Sequence, residues 1–202
     1  MAAIADAQPK DLFASTATVV AHLEGVRQIA NEISLAAANA KAVAARAGNR
    51  ASGFVPITNF IDEMGRETRR LVDRVNQDAQ RMVRSMLAEQ RLGDALDRLR
   101  KGMDRLEQGS SYLDGVARDL AQEHQVASEA TRRHLDSLCD LLVTITDHAR
   151  AARMMSTRSR VEATIAGDYQ VSLESVADTV DNAAEHIRDV VMRCRALLRS
   201  MY

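Results

Sequence analysis

Tryptophan is absent, and only three phenylalanines and three tyrosines occur among 202 residues. A core built from this chain must therefore be aliphatic. Two prolines and nine glycines leave few places where a helix is forced to stop. Alternating β-branched runs bounded by turn clusters are also missing, which argues against strands. These absences leave an all-α, long-helix protein as the expected class. An excess of one charge is missing too: 27 Lys and Arg face 28 Asp and Glu, for a net charge of −1. A nucleic-acid-binding domain normally carries a basic excess or a basic face. Here the signs alternate, as at Arg66, Glu67, Arg69, Arg70, Asp73 and Arg74, and this reads as a solvated helix surface. No nucleic-acid partner is expected.

No apolar run approaches the roughly 18 residues of a membrane span. The opening "MAAIADAQPKDLF" has neither the basic n-region nor the hydrophobic core of a signal peptide. Cys139 and Cys194 lack metal-ligand spacing and fall in apolar helical stretches, so they read as reduced, buried thiols of a cytoplasmic protein. The five histidines, at 22, 124, 134, 148 and 186, form neither a Glu-x-x-His nor a His-x-x-x-His pair. There is no glycine-rich phosphate loop and no visible pairing of nucleophile with base. No cofactor, metal or catalytic activity is expected.

What is present is a seam. Leu12, Thr16, Val19, Leu23, Val26, Ala30, Ile33, Ala37, Ala40, Ala44 and Ala47 alternate steps of four and three without a break. This is the pattern of a coiled coil or helix bundle. Its first helix begins near Pro9 and ends at Gly48, and towards that end the seam is nearly all alanine. A second helix begins near Pro56 with Ile57, Ile61, Met64, Thr68, Leu71 and Val75 and runs to about Leu106. Gly109 reads as a left-handed stop, and Ser111 with Asp114 reads as the start of the third helix. That helix carries Leu138, Leu142, Ile145, Ala149, Ala152, Ser156, Ser159, Ala163 and Ala166, then Gly167. The fourth has Val176, Val180, Ala183, Ile187, Val190, Cys194 and Leu197.

The third and fourth seams repeat the first and second at an offset of 119 residues, with the same decline in side-chain size before a glycine. The chain reads as an ungapped internal duplication. Residues 1–202 would form a single long antiparallel four-helix bundle made of two tandem hairpins, 8–108 and 111–202.

The stretch "ANAKAVAARAGNRASGF", residues 38 to 54, resembles the cytoplasmic signalling tip of bacterial methyl-accepting chemotaxis proteins. That family has an alanine-rich helix, Asn-Ala-Ala-Ile/Val-Glu-Ala-Ala-Arg-Ala-Gly-Glu, followed by a polar turn and Gly-Phe. Asn39, Ala40, Ala44, Ala45, Arg46, Ala47, Gly48, Gly53 and Phe54 match it, while Val43 and Asn49 stand at its glutamates. The second hairpin matches less well, through Val161, Glu162, Ala163, Ala166, Gly167 and Asp168, and lacks the Asn, the Arg and the Gly-Phe. Asn31, Phe60 and Asp62 depart from the positions that pack receptor dimers together.

The resemblance implies a single-chain imitation of the receptor dimer tip. Its expected partners are the chemotaxis coupling protein and histidine kinase, and chemoreceptors themselves are further candidates. The implied contact residues are Asn39, Arg46, Asn49, Phe54, Glu162 and Asp168. Arg46 also suits the negative end of its own helix. The helix lengths leave about residues 88–130 protruding as a two-helix hairpin, which would bury too little alone and could pair two copies. Two other classes compete with this reading. One is a small-molecule or redox sensor with its ligand inside the bundle. The other is a helical phosphatase acting on a response regulator, with Gln77 and Asp78 as its polar pair.

Overall fold

The computed structural model describes residues 9–105 and 111–199, with side chains from Phe13 onward except those of Asn49 and Arg50. Four helices carry nearly all of it: α1 Pro9–Ala47, α2 Phe54–Met103, α3 Ser111–Ala163 and α4 Gln170–Arg199. Short 3₁₀ turns, Gly48–Ala51 and Gly167–Tyr169, join α1 to α2 and α3 to α4. Each helix packs on its chain neighbours, and α4 also packs on α1, which closes a four-helix bundle. No strand occurs among the described residues. The second helix ends at Met103, short of the expected Leu106, with a turn at residues 104 and 105, and the expected stop at Gly109 lies outside the described residues.

The seams are the core. Val19, Leu23, Val26, Ile33, Ile61, Val72, Val75, Met82, Leu138, Leu142, Ile145, Val180, Ile187, Val191 and Leu198 are buried in one continuous cluster. Cys194 is buried within it, with Sγ 4.0 Å from the Val19 carbonyl oxygen. Removal from water pushes its thiol up to about 11. Cys139 corrects the expectation of two buried thiols, because it sits half-exposed at the edge of the core. Its thiol is also raised, first by burial and then by Asp136.

Cross-helix contacts set the register. Arg27 pairs with Asp73 at 3.5 Å and Lys41 donates to Asn59 at 3.1 Å, so the start of α1 lies level with about residue 91 of α2. Arg153 meets Asp181 at 3.0 Å and Arg160 meets Asp178 at 2.9 Å across α3 and α4. Ser137 donates to Asp78 Oδ2 at 2.7 Å, between α3 and α2. Beyond the reach of α1 and α4 only α2 and α3 continue. Between residues 88 and 130 the only buried side chain among the described residues is Leu96, while Val126 and Tyr112 are exposed. The protruding hairpin therefore runs where the helix lengths place it.

Candidate functional site

At the other end the bundle closes in a tip built from the end of α1, the start of α2, the end of α3 and the start of α4. Gly48 and Gly167 each adopt the left-handed conformation, with φ of 61° and 60°. A side chain is strained there, which suits a glycine at the start of each turn. Gly48 follows α1 directly, while α3 ends at Ala163, short of the expected Ala166, and Gly167 comes after a three-residue turn. The two turns are 119 residues apart.

A second, small core fills the tip: Ala40, Ala44, Ala51, Phe54, Ala163, Ala166 and Leu173. The alanines are small because Phe54, only 1% exposed, occupies the space between the hairpins. Leu173, fully buried, stands 119 residues after Phe54 and plays its part from α4. The second copy lacks the Gly-Phe motif but keeps an apolar plug.

Glu162 links the two hairpins at this level. Its half-buried carboxyl group lies over Gly53, where an added Cβ would come within 2.7 Å of Cδ. Gly53 is the N-cap of α2, has no side chain to cap the helix, and is followed by no acidic residue in the first turn. An anion at that end of a helix is favourable, and here the other hairpin supplies it.

The residues that the resemblance singles out do not gather in one cluster. Arg27, Ser34 and Lys41 mark the line of α1 that meets α2. Asn39 and Arg46 are exposed, a heptad apart, and about 140° around the helix from that line. Arg46 lies in the last turn of α1 and makes no ion pair among the described residues. Glu162 faces α2, and Asp168 is exposed in the second turn. The Asn49 side chain lies outside the described residues. Phe54 corrects the expectation of a contact residue: its ring is core and offers no surface to a partner.

Periodicity hid another feature. Val161, Ile165 and Val171 are exposed at the tip, at 66%, 67% and 77%. Val161 and Ile165 fall off the α3 seam, which runs through Ser159, Ala163 and Ala166. Apolar residues off the seam are the signal that could have found them. Of the pair considered for phosphatase chemistry, Gln77 is exposed, and Asp78 accepts from Ser137 and pairs with Arg81 at 3.0 Å. Among the described residues no group of three or more His, Cys, Asp or Glu converges as a metal site would require. No helix among them is long and apolar enough to cross a membrane. The chain matches no protein-family model, no curated protein and no solved structure.

Proposed function

We propose that this protein is a cytoplasmic interaction module of the chemoreceptor kind, which docks the chemotaxis coupling protein and histidine kinase with its tip. The observation that carries the reading is the tip itself. It is alanine-packed, closed by two left-handed glycines 119 residues apart, and exposes Val161, Ile165 and Val171 from the second hairpin and Asn39 and Arg46 from the first. Exposed apolar side chains next to charged ones are the composition of a protein-binding surface. A receptor dimer offers the same surface twice. Here the two hairpins differ, with Asn39 and Arg46 only in the first and Val161 and Ile165 only in the second, so one partner per chain is expected. Chemoreceptor tips would compete for the same partners.

Titration calorimetry of the chain against the coupling protein and kinase tests this. The expected result is saturable one-to-one binding, weakened about tenfold or more by Arg46→Ala with Ile165→Ser. A folded, helical chain that binds neither protein contradicts it.

A self-association reading for the opposite end rests on a different observation. Residues 88–105 carry Arg91, Arg98, Arg100, Lys101 and Arg105 against Glu89, Asp94, Asp97 and Asp104. The facing part of α3 carries Arg118 against Asp114, Asp119, Glu123 and Glu129. Across a two-fold axis the acidic end of α3 in one copy can lie against the arginines at the end of α2 in another. Two protruding hairpins could thus complete a four-helix bundle between copies. Sedimentation equilibrium should show a dimer that Val116→Glu converts to monomer, and a monomeric wild-type chain would end this reading.

A further inference from the structure

The α3–α4 pair holds an open cavity of about 320 Å³ lined by Ala149, Arg150, Arg153, Ala184, Glu185 and Arg188. The residues 119 positions earlier are Ala30, Asn31, Ser34, Gly65, Arg66 and Arg69, and they show why the cavity exists. In the first hairpin Gly65 lets the helices touch: a Cβ there would lie 2.5 Å from Ser34 Oγ and 3.0 Å from the Ala30 carbonyl oxygen. Arg69 then folds across the seam, donating to Ser34 Oγ at 2.9 Å and to the Ala30 oxygen at 3.3 Å. In the second hairpin Ala184 replaces the glycine and Arg153 replaces the serine. Close approach is blocked, the small acceptor is gone, and Arg188 turns to Glu185 and Asp189 at 3.1 and 3.3 Å. What remains is a gap with an alanine floor and three guanidinium groups around it.

We propose that this cavity binds a small phosphate monoester, with its phosphoryl group held by Arg150, Arg153 and Arg188. Each guanidinium has five N–H donors, and few of them are used. Arg150 gives only Nη1 to Asp147, and Arg153 gives only Nε to Asp181. Arg188 gives Nε and Nη2 to Glu185 and Asp189 and keeps Nη1. Asp147, Glu185 and Asp189 are about half-exposed, where ion pairs are weak and a doubly charged oxyanion can take donors from them. The less exposed Asp181 keeps Arg153 Nε and leaves its other donors free. Glu185 is the one carboxylate lining the cavity, against three arginines, and Asp147, Asp181 and Asp189 stand behind them. Planar, forked donors match oxyanions better than chloride, and three of them suit the three oxygens and double charge of a phosphoryl group better than the two oxygens of a carboxylate. The Ala149 and Ala184 methyl groups suit an apolar body on the ester.

Phenyl phosphate is the probe, and the arginine Nε–H signals of the full chain, followed by NMR, are the readout. The expected result is a saturable shift at Arg150, Arg153 and Arg188 that phenol does not produce. Arg188→Gln should weaken the affinity about tenfold, the worth of one charge-assisted contact. A second variant, Arg153→Ser with Ala184→Gly, copies the first hairpin's closed packing and should abolish the shift while the circular dichroism stays helical. A non-saturating response, one equal at Arg66 and Arg69, one matched by phenol, or one that survives the closing variant would overturn the proposal.

Discussion

The two hairpins share a seam and differ in how they are held shut. In the first, α1 and α2 meet backbone to backbone at Gly65, with Arg69 stitching across to Ser34. In the second, Ala184 stands where the first has Gly65, and α3 and α4 are joined from outside by Arg153 and Arg160 on Asp181 and Asp178. One position can be followed through both: Lys41 to Asn59 in the first hairpin is Arg160 to Asp178 in the second. A neutral acceptor and a lysine have become a charged pair at the same place in the register. The comparison shows how one hairpin relies on close packing and the other on surface electrostatics within the same bundle.

The largest expected effect falls where the hairpins meet. Phe54→Ala removes the ring that fills the tip and should cost about 3–5 kcal/mol, and Leu173→Ala about 2–4 kcal/mol, measured by urea unfolding. If either truncation costs much less, the tip core does not depend on both copies. Next comes the close approach. A glycine inside a helix normally gains stability on becoming alanine, by about 1 kcal/mol. Gly65→Ala should instead lose about 1–2 kcal/mol, because the new methyl group meets Ser34 Oγ and the Ala30 carbonyl. Ser34→Ala in the same chain should relieve part of that loss. Ala184→Gly has no such contact to relieve and should show only the ordinary helix cost.

The surface pairs should matter less. Asp181→Asn takes partners from both Arg153 and Arg160 and should cost under about 1 kcal/mol, with the loss vanishing in high salt. Asn59→Ala in the first hairpin should show no such salt dependence. Smallest near neutrality is the effect of Cys194, which stands where the first hairpin has Val75. Its folded pKa is raised to about 11 from an ordinary 9.0. The stability tied to the protonated thiol is full below pH 9 and is lost as pH rises through 11. Cys194→Val should flatten that part of the pH profile, read as the urea midpoint at pH 8 and at pH 10.5.

Much of the fold was legible because seams are local. Steps of four and three from Leu12 to Ala47 and from Leu138 to Ala166 need only the helix period, and Gly48 and Gly167 need only the cost of a left-handed residue. The protruding hairpin follows from counting helix lengths. The tip was less legible, because its decisive contacts join residues far apart in the chain. That Phe54 would turn inward, that Leu173 would stand in for it, and that Glu162 would cover Gly53 all depend on how one hairpin lies against the other. The difference between Gly65 and Ala184 is visible in an alignment of the copies, but its consequence needs the interhelical distance. Val161 and Ile165 were missed because a seam argument counts the apolar residues that fit and passes over those that do not.

Hydrogen exchange of the chain, alone and with the chemotaxis coupling protein and kinase, tests the tip as the docking surface most directly. The account predicts added protection over residues 39–48 and 158–171, with 92–125 unchanged. Protection confined to 92–125, or none anywhere in a chain that remains helical, would contradict it.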